Sequence, residues 1–73
     1  LSGGERLRVK LLRAIDKKVK GSIIVLPNIS YGLSNSVLTS ICELLEDLTS
    51  SDNTVILLDN HKVFNKFNKI VLE

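Results

Sequence analysis

The apolar positions of this chain repeat with two different periods. Leu7, Leu11, Ile15 and Val19 recur at every fourth place, with Leu12 beside them. This spacing predicts an amphipathic helix over residues 4–19. Ser2 suits its N-cap, with Glu5 at the spacing of a capping box, and Gly21 suits its termination. Residues 23–26 are a continuous apolar run, β-branched at three of four places. Such a run predicts a strand buried on both faces, as in a parallel sheet, and Pro27 is expected to end it.

Residues 35–49 return to the helical period. Val37, Leu38, Ile41, Cys42, Leu44, Leu45 and Leu48 form a broad apolar face, with Glu43, Glu46 and Asp47 turned away. Cys42 lies within that stripe and reads as a small core residue. A polar TSSDN loop leads to a second buried-type strand at 54–58. Residues 62–67 predict a short helical turn with Val63, Phe64 and Phe67 inward, and 69–72 a third strand. The order α-β-α-β-(α)-β predicts an α/β fold with parallel strands and right-handed crossovers.

Composition narrows the picture. The chain has 73 residues, 44% of them hydrophobic, which is globular rather than disordered. A chain this short forms one small domain, whose core supplies roughly 3–5 kcal/mol. One cysteine and one histidine exclude a disulfide and the usual zinc sites. No apolar run approaches the roughly 18 residues of a membrane span. The first twenty residues show no signal-peptide pattern, which makes a cytoplasmic origin the default expectation.

The net charge of +2 is unevenly distributed. Residues 1–20 carry seven cations, Arg6, Arg8, Lys10, Arg13, Lys17, Lys18 and Lys20, against Glu5 and Asp16. The remainder is acidic. Arg6, Lys10, Arg13 and Lys17 form a stripe distinct from the apolar one. It reads either as a solvated helix face or as a small interaction module for nucleic acid or an acidic protein partner.

The LSGGE at 1–5 carries a more specific signal. Glycines at a helix start let backbone amides approach a phosphate, where unpaired N–H groups point at it. Followed by Arg8-Val9-Lys10-Leu11, it resembles the signature motif of ABC-type ATPases. The RVKL continuation is most similar to the excinuclease (UvrA) branch, a DNA-repair lineage. The resemblance spans essentially the whole chain. IIVL at 23–26 looks like the strand carrying Walker B, and Gly32-Leu33 like the turn around the D-loop. Residues 53–56 look like the strand leading to the switch histidine, and KIVLE at 69–73 like the strand that often follows it.

The resemblance implies a three-layer fragment of a P-loop NTPase fold over residues 1–73, with about three parallel strands and two main helices. It implies that Ser2, Gly3, Gly4 and Glu5 contact a nucleotide held mainly by an opposite domain. The Walker B acids fall at Pro27 and Asn28. Proline offers no carboxylate, and an asparagine amide orients water without taking its proton. In the switch region, Asp59 supplies the acid, Asn60 stands at the histidine position and His61 follows one place later. His61 serves as the switch only if the loop shifts; otherwise it is an exposed loop residue. No G-x-x-x-x-G-K-[ST] segment is present.

These features imply a degenerate ATPase piece without a catalytic residue or metal ligand of its own. ATP and Mg²⁺ are expected only with a partner domain. The partners implied are another ATPase domain or a second copy of the chain. In the resembling fold the final strand lies beyond the phosphate-loop strand. The 69–72 strand is therefore expected to leave a gap, move into it, or be supplied by another copy.

Overall fold

β-branched and apolar runs at 23–27 and 54–58 pair as parallel neighbours, and this pair organises the rest of the chain. The computed structural model describes residues 3–71. Its elements are α1 (Gly3–Asp16), β1 (Ile23–Pro27), α2 (Asn35–Ser50), β2 (Thr54–Leu58), a 3₁₀ turn (Lys62–Phe64) and β3 (Asn68–Ile70). The sheet has the order β1-β2-β3, all parallel. The α/β class, two main helices and three parallel strands therefore match the sequence expectation. β3 sits directly beside β2, so no gap separates them and β2 is central.

The core joins one face of the sheet to both helices. Leu11, Leu38, Ile41, Cys42, Leu45, Leu48, Val55, Leu57 and Phe64 form one buried cluster. Cys42 is in it as expected; its thiol donates to the Val63 carbonyl at 3.7 Å. Burial pushes that thiol's pKa up, against the nearby Lys66 ammonium.

The strands are covered on one face only, which corrects the reading of both-face burial. Along β1, Ile23, Val25 and Pro27 are exposed while Ile24 and Leu26 are half-buried. The register places Ile23, Val25 and Pro27 beside Thr54, Ile56 and Leu58, and Asn68 and Ile70 continue that face. Ile23 is 72% exposed, Val25 51% and Ile70 48%. The third layer expected from the resemblance is absent among the described residues. A short axis of 15 Å accommodates one helical layer on one sheet.

Pro27 belongs to β1 rather than ending it. The Thr54 amide donates to the Ser22 carbonyl, and the Asn28 amide to the Leu58 carbonyl, each at 2.8 Å. Even-numbered residues of β1 thus bond to β2, and odd-numbered ones face the open edge. Pro27 sits at an outward position, where its missing N–H costs no ladder bond.

α1 ends earlier than residue 19, and Lys18 rather than Gly21 ends it. Lys18 adopts a left-handed conformation (φ 54°). Its amide donates to the Ile15 carbonyl at 3.0 Å, and the Val19 amide to the Ala14 carbonyl at 3.1 Å. These two bonds make a Schellman cap. Gly21 (φ 70°) serves the next turn, donating to the Asp52 carbonyl at 2.8 Å. The proposed cap Ser2 lies outside the described residues.

Asn53 then joins three elements. Its Nδ2 donates to the carbonyls of Val19 (2.9 Å) and Leu48 (2.8 Å), and its Oδ1 accepts from the Ser22 amide at 3.1 Å. α2 is capped by Ser34, whose hydroxyl accepts from the Val37 amide at 3.4 Å.

Candidate functional site at the carboxyl edge of the sheet

Parallel strands deliver their loops to one edge, where ligands of open α/β sheets bind. Here that edge holds a cleft of ≈ 220 Å³ lined by Pro27, Asn28, Leu58, Asp59 and Asn60. Positions 27–28 leave β1 and positions 59–60 leave β2, so strand pairing alone brings them together. Asn28 is exposed and left-handed (φ 53°). Asparagine tolerates this region better than most residues, and the turn directs the chain away from the sheet.

Asp59 is the buried acid of the cleft, 4% exposed. Its Oδ2 accepts from the Ser30 amide at 3.0 Å. Its Oδ1 accepts from the Ser30 hydroxyl at 2.8 Å and the His61 amide at 3.0 Å. Burial by itself raises the pKa of this carboxyl. Hydrogen bonds from Ser30 and from the amides of His61 and Asn60 outweigh burial and hold the pKa below its ordinary value. The carboxylate thus ties the β1–α2 loop to the end of β2, and its lone pairs point at those donors.

His61 stands apart from the cleft lining. Its Nδ1 accepts from the Val63 amide at 3.1 Å, capping the 3₁₀ turn. Its ring meets Phe64 edge-on, with centroids 6.2 Å apart. As an acceptor, Nδ1 leaves the proton of the neutral ring on Nε2. His61 is half-buried rather than exposed, because the turn after it packs Phe64 into the core.

The glycines of α1 open onto an adjoining groove of ≈ 270 Å³. Gly3, Gly4, Leu7, Asn28, Ile29, Tyr31 and Leu33 line it, so Asn28 belongs to both hollows. The two glycines differ. Gly3 is exposed, with open space where a Cβ would stand. Gly4 is buried, and a Cβ there would lie 2.8 Å from Leu33 Cδ2 and 3.1 Å from Val37 Cγ1. Its missing side chain lets α1 approach the start of α2. Glu5 is exposed in the first turn. Ser2 again lies outside the described residues.

Sequence reasoning brought Pro27, Asn28, Asp59 and Asn60 to one place and passed over Ser30, Tyr31 and Asn53. Ser30 acts through Asp59, and Asn53 in part through Val19 and Ser22, partners some thirty positions away that no local pattern displays. Tyr31 is exposed beside the groove; being an aromatic in a Gly-containing turn was its only signal. Compared with family models, curated proteins and solved structures, the chain matches none.

Proposed function

We propose that the chain is a degenerate piece of an ABC-type ATPase domain, of the UvrA excinuclease kind. In this reading it supplies a signature half-site in trans and does not turn over ATP alone. The observation that carries the reading is the shared position of Asn28. It lines the cleft of the Walker B-like and switch-like positions and also the groove under Gly3 and Gly4. In the resembling family the Walker B and switch positions serve one nucleotide and the signature serves another, held mainly by an opposite domain, so the groove under Gly3 and Gly4 is the part that would act in trans.

The residues present do not fit a magnesium–nucleotide centre. Mg²⁺ is held by carboxylates in octahedral geometry. Pro27 has no oxygen in its side chain, and Asp59 already accepts from Ser30, His61 and Asn60. Asn28 and Asn60 offer carboxamides, which orient water without taking its proton. The half-site role instead uses the α1 N-terminus, where helical amides favour an anion.

Complementation tests this role. An ABC ATPase domain with an intact phosphate loop, disabled in its own signature serine, is mixed with excess chain. ATP turnover by the mixture above that of the disabled domain is expected, with none from the chain alone. Turnover by the chain alone, or no stimulation, overturns the proposal.

A further inference from the structure

Both main helices pack on one face of the sheet, and the opposite face is bare. Ile23, Val25, Ile56, Leu58 and Ile70 adjoin one another there by register. The polar side chains among them, Thr54 and Asn68, carry no charge. A parallel sheet is ordinarily covered on both faces. Among the described residues no further α-helix remains to cover this one, so its cover comes from another molecule.

The surfaces of the chain differ in what they offer such a face. On the outer side of the helical layer, Arg6, Lys10 and Arg13 of α1 and Glu43, Glu46 and Asp47 of α2 are exposed. Laid on an uncharged apolar face, these ions lose water and gain no counter-charge. The bare face of a second copy brings no ion with it, and the centres of interfaces are depleted in charge. A foreign partner needs an equally flat, uncharged face, which a second copy has by construction. The broad side of the molecule measures 31 by 26 Å. That sets a ceiling of about 800 Å² per copy, the share each partner gives to a standard interface.

We infer that two copies of this chain pack face to face through their bare sheets, as a closed twofold dimer. Sheet faces stack about 10 Å apart, which gives the layer order helix, sheet, sheet, helix. A twofold contact uses the same patch on both copies, so association stops at two. The contact holds no aromatic or Arg anchor. Its affinity therefore falls at the weak end for its area, with a dissociation constant of about 1–100 µM. The inference is independent of the ATPase reading, since it uses neither the cleft nor the glycine groove.

Sedimentation equilibrium and thiol labelling test it together. The mass is expected to rise from 8.1 kDa and level off at twice that value. Val25→Cys on β1 and Ile70→Cys on β3 place a reporter at either side of the face, both on half-exposed positions. The one native thiol, Cys42, is buried, and circular dichroism reports the fold. At ten times the dissociation constant, mass action leaves about a fifth of the chain monomeric, so maleimide should label both reporters about fivefold more slowly. Lys10→Cys on the outer side of α1 should label at an unchanged rate. Val25→Lys puts an unpaired charge in the contact and is expected to raise the dissociation constant at least about tenfold. A mass of 8.1 kDa at every concentration, or one that passes twice that value without levelling, overturns the proposal. So does an unchanged dissociation constant for Val25→Lys. Protection of Cys at 25 without protection at 70 overturns it in favour of pairing along the β1 edge, and protection at neither in favour of another surface.

Discussion

Ser30 and Asp59 are 29 positions apart, yet Ser30 donates both its amide (3.0 Å) and its hydroxyl (2.8 Å) to the two oxygens of the Asp59 carboxylate. This paired contact of loop to strand end fixes the mouth of the cleft. Removing the acceptor leaves the Ser30 and His61 donors without it. Asp59→Ala is expected to cost about 2–4 kcal/mol in urea unfolding, and Ser30→Ala about 1 kcal/mol. For a domain of roughly 3–5 kcal/mol, the first loss leaves much of the population unfolded.

The same pair sets the acid limb of stability. The folded pKa of Asp59 is lowered by its hydrogen bonds. Its contribution is therefore present above the unfolded value of about 3.9 and is lost as pH falls from there through the folded value. Ser30→Ala removes the hydroxyl donor and loosens the loop that presents the amide. It is expected to move acid unfolding, followed by circular dichroism, to higher pH. An unchanged acid midpoint would show that another group controls this limb.

Gly3 and Gly4 should separate on mutation. Alanine in a helix gains up to about 1 kcal/mol over glycine. Gly3→Ala meets open space and is expected to stabilise by several tenths of a kcal/mol. Gly4→Ala meets Leu33 at 2.8 Å and Val37 at 3.1 Å, and overpacking of about 1–3 kcal/mol outweighs the propensity gain. Thermal melts of the two variants, shifted in opposite directions, are the check. If both rise, the Leu33 and Val37 side chains give way to the added methyl without cost.

Lys18 holds the left-handed position of the α1 cap (φ 54°). A residue with a Cβ is strained by about 1–2 kcal/mol there, and glycine is not. Lys18→Gly is expected to stabilise the fold by about 0.5–1 kcal/mol. Lys18→Val is expected to destabilise it, because a β-branched side chain is worse still in that region. Equal stability of the two variants would show that a left-handed residue 18 does not end α1.

Asn53 is 6% exposed and bonds the tails of both helices to the start of β1. Asn53→Ala removes the donor to the Val19, Leu48 and Ser51 carbonyls and the acceptor of the Ser22 amide, and is expected to cost about 2–3 kcal/mol. Asn53→Asp keeps the acceptor but loses the three donor bonds, so it should recover little of that loss. Urea midpoints of the two variants decide this.

The elements themselves were legible because periods of four and runs of β-branched residues come directly from local geometry. Less legible was what surrounds them. The run at 23–26 reads the same whether one or both faces are covered, so the open face at Ile23 and Val25 did not show. Pro27 reads as a stop because its neighbour strand is unknown in sequence; only the ladder register makes it harmless. Lys18 was overlooked because glycine is the usual mark of a helix end, and Gly21 stood nearby. The cleft residues were legible as the ends of two strands, but not the use of Asp59, whose partner Ser30 lies on another loop.

The uncovered face of the sheet has a direct consequence for the chain in solution. Ile23, Val25, Ile56, Leu58 and Ile70 adjoin one another there by register. Contiguous exposed apolar surface mediates association when nothing covers it, and β1 adds an edge whose odd-numbered residues face no neighbouring strand. The apparent mass by light scattering is expected to rise with protein concentration. Ile23→Thr with Val25→Thr keeps β-branched side chains in the strand while lowering its apolar surface. That variant should shift association to higher concentration and change folding stability by less than about 0.5 kcal/mol, since both sites are exposed. A parent chain with a concentration-independent monomer mass, or a variant that associates equally well, would exclude this face as the contact.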